Sequence, residues 1–354
     1  MTEIVVRRPQ LIEEIARAGG LGERHDVADY LRSLAKNEEN VAWQEWLRIH
    51  RRSQLLRIGL RDLLGLATLR ELQSEFTALA EASLVFVQQQ LGLGNELTIV
   101  AMGKFGGREL VYGADLDILF IGANNAAAAE IIRTMTHVSP EGAVFSIDPR
   151  LRPEGDAGPL ASSLSAFENY FERRAQTWEA QALSKARPVA GPDEERFLAI
   201  ARSAWSRVGR KSDLEAEIKA MHERIVQERA GGNDFTAFKT GRGGLMELEF
   251  YTQALQMRHE LWENNTLNAL RSLSAAGALP SENAARASAS YEFLRRLEAV
   301  LRRVDDKPVS LLPHDSATQR QVARRCGEPD LEAFLARYRE ARETIREICR
   351  WPES

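Results

Sequence analysis

Two short apolar runs, LTIVAMG (97–103) and LDILFIG (116–122), stand out in a chain whose other apolar residues mostly recur three and four apart. Both runs are rich in β-formers and bounded by glycine, so each reads as a buried strand among helices. The second carries two carboxylates at its start, Asp115 and Asp117. Strand side chains alternate, so both point to one face, with Cα atoms about 6.6–6.8 Å apart. Leu116, Ile118 and Phe120 take the opposite face and can enter the core. Two unpaired carboxylates this close repel, and burial raises their pKa values. A divalent cation removes both costs, and carboxylate oxygens suit Mg²⁺, which also binds substrate phosphates.

AVFSID (143–148) reads as a third strand, ending in Asp148, and AAAAEIIRTMTHV before it reads as a helix. If that strand lies beside 116–121, three carboxylates meet. Such a trio can hold two metal ions about 3.5–4 Å apart, the arrangement that serves displacement at phosphorus. Gly106 and Gly107 lack a Cβ, so the backbone there can approach a phosphate and offer N–H groups as an anion nest. The following residues 108–111 are expected to begin a helix whose N-terminus favours phosphate. Lys104, Arg150 and Arg152 are candidate phosphate partners. For the two arginines the alternative is a salt bridge to Glu154 or Asp156.

The chain of 354 residues is 44% hydrophobic and 28% charged, with a formal net charge of −4. The absence of a basic excess argues against nucleic acid as a partner. The opening twenty residues contain no apolar signal-like stretch, and no run approaches a membrane span, so the expected place is the cytoplasm. The two cysteines, Cys326 and Cys349, have no metal spacing and fit a reducing compartment.

Three divisions are expected: an N-terminal helical region (1–92), a small α/β core (93–190) and a C-terminal helical bundle (191–354). The first holds LIEEIARA, HDVADYLRSLA, VAWQEWLRIHRRSQLLRIGLRDLLGLA and a run opening at Thr68. SLSAFENYFERRAQTWEAQALSKA reads as one long helix, with Lys185 and Arg187 as cations at its C-terminal end. FKTGRGGLMELEF (238–250) is a second glycine-rich element. Gly243 and Gly244 offer a close-approach loop, and Glu247 and Glu249 fall in the first turn of the next helix. Trp43, Trp46, Trp178 and Trp205 lie on amphipathic helices and are expected to pack.

A glycine pair, a short spacer and Asp-x-Asp resemble the polymerase-β-type nucleotidyltransferase superfamily. GKFGGRELVYGADLDILF, IDPRLRPEGDAGPLASSLSAFENYF, TWEAQALSKARPVAG and GRGGLMELEF, in this order, are similar to glutamine-synthetase adenylyltransferase, also called glutamate–ammonia-ligase adenylyltransferase. VRRPQLIEEI and LRRLEAVLRRV extend the likeness over nearly the whole chain.

The resemblance implies an α+β, mostly helical fold, with a polymerase-β-like nucleotidyltransferase core, flanking helices and a C-terminal bundle. It implies ATP as substrate and Mg²⁺ as cofactor, two ions being expected. The reaction would be transfer of AMP to a tyrosine of glutamine synthetase, or its phosphorolytic removal. A nitrogen-signalling PII protein is the implied further partner. The metal ligands would be Asp115, Asp117 and Asp148, with Asp148 placed to assist deprotonation of the attacking hydroxyl. Gly106 and Gly107 would contact phosphates, and Lys239 or Glu249 would face the nucleotide. The family enzyme carries two such modules, and this chain holds one. Phe105, Pro149 and a short segment between Asp117 and Asp148 depart from the family pattern. The rival readings are a nucleotidyltransferase with another protein acceptor and a nucleotide-binding regulatory module without turnover.

Overall fold

The computed structural model of the protein describes residues 20–37, 40–230, 232–304 and 306–351, with Val6, Pro9, Leu11, Glu13 and Ile15 before them. The expected helix over LIEEIARA, and the lead-in VRRPQLIEEI, lie largely outside the described residues. The fold is mostly helical with a small mixed sheet, as expected for an α+β nucleotidyltransferase-like chain. The chain divides into two compact units, Met1–Arg173 with Lys185–Ile200, and Arg174–Ser184 with Ala201–Ser354. The N-terminal helices and the sheet, expected as separate divisions, thus fall in one unit.

The sheet is built on Leu97–Ala101 (β1) and Leu116–Gly122 (β2), which pair antiparallel. All five residues of β1 are buried, so no polar alternation marks it. The chain leaves β2 through helix Asn125–Thr136, capped by the Asn124 side chain, and returns as Ile147–Asp148 (β3), parallel to β2. Ala161–Ser162 (β4) pairs parallel with the far end of β2, and Arg187–Ala190 (β5) pairs antiparallel with β1. The expected strand 143–148 therefore shrinks to two residues, and β4 and β5 are additions. Pro188 sits in β5 at the edge of the sheet, where its missing N–H costs no ladder bond.

Two other expectations change. Residues 108–111 do not form a helix; the helical piece comes earlier, at Gly103–Gly106. The long helix expected from 163 to 186 is broken into Leu164–Arg173 and Thr177–Ala182, the second opened by a capping box between Gln176 and Glu179.

Buried charge ties the helices of the first unit to one another and to the sheet. Helix Leu69–Gln90 starts at a capping box formed by Thr68 and Glu71. One turn on, the fully buried Glu75 accepts from Arg57 and, at 2.9 Å, from Arg61, both on helix Trp43–Leu63. Asp62 on that helix accepts from the hydroxyl of buried Tyr112, 3.0 Å away in the segment leading to β2. Gln88 donates to the carbonyl of Leu97 at 2.7 Å, where β1 begins.

In the second unit, helices Leu245–Arg258, Thr266–Ala275, Ser281–Arg302, Ser316–Arg325 and Leu331–Ile348 surround one apolar core. Phe238, Leu248, Leu273, Tyr291, Leu294, Phe334 and Ile345 lie at its centre. Helix Ser316–Arg325, capped by Asp315, is an addition to the expected set. Trp205 is buried, donates to Ser184 at 2.9 Å and meets Trp262 edge-on, in line with a packing role. Trp46 is buried in the first unit and donates to the Leu34 carbonyl at 2.8 Å.

His50 lies buried on helix Trp43–Leu63, edge-on to Tyr30 and tilted against Trp46. Neither ring nitrogen has a hydrogen-bond partner among the described residues. Burial, reinforced by the positive charges of His25 and Arg57, pushes its pKa down to about 4. The fold favours neutral imidazole, so this stability is fully present above the ordinary pKa of about 6.5 and is lost as pH falls towards the folded value. Urea unfolding at about pH 7 and about pH 4.5 is expected to show a loss of about 2–3 kcal/mol from this group. His50→Phe should lose less over the same interval, whereas equal losses would remove His50 from the acid response.

Candidate active site

The polypeptide brings Asp117 and Asp148 together by strand register. β2 and β3 pair in parallel with Leu116 opposite Ile147 and Asp117 opposite Asp148. Register partners in a sheet put their side chains on the same face. Asp115 lies two residues before Asp117 in the same strand direction and is exposed, while Asp117 and Asp148 are half-buried. Leu116, Ile118 and Phe120 are buried at 0%, 0% and 2%, and beyond Asp117 the other face is covered too, with Leu119 and Ile121 each at 2%.

Asp117 and Asp148 share a face, Asp115 lies just before the strand, and among the described residues no three acidic, histidine or cysteine side chains stand close enough to form a metal-holding group. Asp148 is otherwise engaged. Its Oδ1 accepts from the Arg150 backbone N–H at 3.0 Å and from Arg150 Nε at 2.9 Å, and its Oδ2 takes the Arg150 Nη2 donor. The guanidinium hydrogen bond, helped by the backbone bond and the charges of Arg150 and Arg152, holds the Asp148 carboxyl below the usual carboxylate range. Arg150 itself is largely exposed. The donor set is of the hard oxygen type that Mg²⁺ takes, and an oxygen of Asp148 becomes available only if Arg150 moves away.

The glycine motif is built differently from expectation. Gly106 and Gly107 do not present a nest: their N–H groups donate to the carbonyls of Met102 and Gly103 at 2.8 and 3.1 Å. Gly106 is required by packing, since a Cβ there would lie 1.8 Å from the carbonyl oxygen of Lys185. Gly103, which the motif reading passed over, matters more to the carboxylates. Its φ is +51°, and a Cβ there would fall 2.1 Å from Oδ2 of Asp117. The hollow over Gly103 is where the Asp117 side chain lies. A glycine directly after a strand was the available signal.

Lys104 and Arg152 also have structural employment. Glu109, only 1% exposed, is bridged by Lys104 Nζ and Lys185 Nζ, each at 3.2 Å. Lys185 ends the 3-10 turn Leu183–Lys185, as a helix-end cation would, and its ammonium is also the partner of a buried carboxylate. Arg187, placed in β5, pairs with Glu81 at 2.8 Å and donates to the Gly106 carbonyl at 3.3 Å. Arg152 is buried and donates to the carbonyls of Gly158 and Pro149 at 3.2 and 2.9 Å. That clamps the loop after β3, with Asp156 at 3.7 Å. Of the arginines expected near phosphate, Arg150 alone has its guanidinium at the carboxylate face.

In the second unit, Glu249 accepts from the Tyr291 hydroxyl at 2.9 Å, and Glu247 accepts from the Gly243 N–H at 2.6 Å. Gly243, at φ +70°, would drive a Cβ to 2.3 Å from the Arg342 carbonyl oxygen. In the second glycine-rich element Gly243 thus packs closely on helix Leu331–Ile348, while Gly241 and Gly244 are crowded by carbonyls of their own loop.

Residues 1–199 match the family model described as glutamate–ammonia ligase adenylyltransferase, and residues 213–351 match one described as GlnD PII-uridylyltransferase. A bifunctional glutamine synthetase adenylyltransferase/adenylyl-removing enzyme of Streptomyces avermitilis is 33% identical over 85% of this chain and 32% of its own length. The protein of the same description from Nitrosococcus oceani is 31% identical over 97% of this chain and 40% of its own length. The chain thus spans about a third to two fifths of these curated relatives. With the family model matched across 199 of its 354 residues, the chain belongs to the glutamate–ammonia ligase adenylyltransferase family.

Proposed function

We propose that the chain is a nucleotidyltransferase module that moves AMP between ATP and a tyrosine of glutamine synthetase, or removes it by phosphorolysis. The observation that carries this reading is the parallel register setting Asp117 opposite Asp148, with Asp115 two residues before Asp117 in the chain. Family membership supplies the reaction class, and the named activity of the relatives supplies the acceptor.

Asp115, Asp117 and Asp148 would hold Mg²⁺, two ions in the proposed reading. When bound, Mg²⁺ neutralises phosphate charge and aligns the attacking and leaving oxygens. The residues do the rest. Arg150, which holds Asp148, turns to the triphosphate when the nucleotide binds, freeing a carboxylate oxygen. The guanidinium fork suits phosphate as well as carboxylate, so the exchange replaces one charged partner with another. Asp148, once released, takes the phenolic proton of the acceptor. A free tyrosine has a pKa of about 10 and needs that help at neutral pH. Gly103 keeps Asp117 in its hollow, which fixes the direction of that carboxylate. The cytoplasm is the site of action, consistent with Cys326 and Cys349 both being free thiols. The match of residues 213–351 to a PII-uridylyltransferase model supports a PII protein as a regulatory partner.

The test is incubation with ATP, Mg²⁺ and glutamine synthetase of the same organism, followed by peptide mapping for AMP on tyrosine. The reverse assay supplies modified enzyme and phosphate and looks for ADP. Nucleotide binding with no product in either direction would favour the regulatory-module reading.

Asp117→Asn is expected to lower turnover by more than about 100-fold, the upper range for losing even an outer-shell partner of a metal site. Circular dichroism should be unchanged, and near-normal turnover at saturating Mg²⁺ would sink the carboxylate assignment. Arg150→Gln should raise the KM for ATP by about 10-fold, the size of one charge-assisted contact. An unaltered KM would show that Arg150 never leaves Asp148 for the nucleotide.

A further inference from the structure

The second unit contains a cleft of about 290 Å³ whose walls are unusually cationic. Arg242 comes from the glycine-rich loop, and Arg339, Arg342 and Arg346 come from helix Leu331–Ile348. Asp234 and Glu343 are the acids that line it, leaving two positive charges in excess in a chain whose net charge is −4. Phe235 forms part of the wall and is 46% exposed, one of few large apolar side chains left in water.

The four arginines have different tasks. Arg342 is buried and spends its guanidinium on the fold. It donates to the carbonyls of Arg242 and Phe235 and, at 3.0 Å, to the Tyr338 hydroxyl. Tyr338 donates to the same Phe235 carbonyl at 2.6 Å. These bonds pin the backbone that carries Phe235 and Arg242, so the aromatic wall is set before any ligand arrives. Arg339, Arg346 and Arg242 are exposed, and their guanidinium groups have no carboxylate partner within ion-pair distance among the described residues. Arg339 lies 5.8 Å from the centre of the Phe235 ring. Arg339 and Arg346 are seven residues apart, about 10 Å along a helix. Two or three linked phosphates span that interval better than one.

We infer that this cleft binds a nucleoside di- or triphosphate without a divalent ion, its phosphates held by Arg339, Arg346 and Arg242 and its base laid against Phe235. Guanidinium groups pair with phosphate oxygens through two parallel N–H bonds. An exposed aromatic ring accepts any base by stacking. The site is separate from the carboxylate face in its chemistry, because arginines here do the work that the carboxylates would delegate to Mg²⁺. It stands or falls independently of the catalytic reading.

Calorimetric titration with ATP and with inorganic triphosphate, both in EDTA, tests it. Unaltered protein should bind both, ATP more tightly. The double variant Arg339→Gln/Arg346→Gln changes two exposed side chains, so the thermal melt should be preserved. It should weaken both ligands by at least about 10-fold, the cost of one charge-assisted contact. Phe235→Ala should weaken ATP to the level of triphosphate and leave triphosphate unchanged. Asp117→Asn should alter neither. The inference is overturned if nothing binds in EDTA, if the double arginine variant binds as well as the unaltered protein, or if Asp117→Asn abolishes the binding. Equal affinity for ATP and triphosphate in the unaltered protein would overturn the assignment of a nucleotide.

Discussion

The buried carboxylate of Glu109, held between the ammonium groups of Lys104 and Lys185, is the contact on which the geometry of the site depends. It joins the segment after β1 to the segment before β5, 76 residues later. A buried ion pair of this kind gains little net stability over an apolar filling, but losing one member leaves an uncompensated charge. Its consequence here is positional. With Lys185 fixed, its carbonyl closes over Gly106, where a Cβ would have only 1.8 Å. Arg187 then reaches the Gly106 carbonyl and pairs with Glu81. The short helix Gly103–Gly106 thus meets Lys185 and Arg187 at Gly106 and β2 at Gly103. Gly103 consequently meets Asp117, and the hollow above it receives the carboxylate.

The N-terminal helices belong to the same construction. Glu81 sits on helix Leu69–Gln90, the helix that also carries Glu75 and Gln88. Through these three side chains it touches β5, helix Trp43–Leu63 and the start of β1. This explains why residues 1–92 do not separate from the sheet. Amphipathic periodicity shows that a helix has a buried face, but not what lies against it. The partners are charged groups inside the core, and hydrophobic patterning is blind to them.

Much of the fold was legible because its helices are long and periodic, and because β1 and β2 are glycine-bounded runs dense in β-formers. What escaped was short or atypical. β5 contains Pro188, which argues against a strand unless the strand is at an edge. Helix Ser316–Arg325 buries only Val322 and Ala323, too few to show a period, although Asp315 was a readable cap. The carboxylates were legible because acids in an apolar run are costly without a reason. The glycines misled for a related cause. Gly106, Gly243 and Gly103 each mark a close approach, as glycine should, but the neighbour is a carbonyl or a carboxylate of the chain itself. Sequence spacing identifies a position without room for a Cβ and cannot say whether ligand or protein fills the space.

Asp148 shows how a two-residue strand can hold a candidate site residue in register. Side chains in a strand change face at every step, so a slip of one residue would turn Asp148 away from Asp117. β3 is too short to fix its own register. The preceding residues do so: the N–H groups of Val144 and Phe145 both donate to the Met135 carbonyl, at 3.0 and 3.2 Å, and the Leu116 N–H donates to Ser146 at 2.9 Å. Val144 and Phe145 are buried, at 1% and 8% exposure, and Arg51 lies over the Phe145 ring. Shifting the strand would pull both side chains from the core, at about 1.5–3 kcal/mol each. That penalty exceeds what a mobile side-chain pair such as Asp148 and exposed Arg150 can impose on the backbone. The exchange of partners proposed for Arg150 therefore needs only rotamer changes, while the alignment of Asp148 with Asp117 stays with the strand.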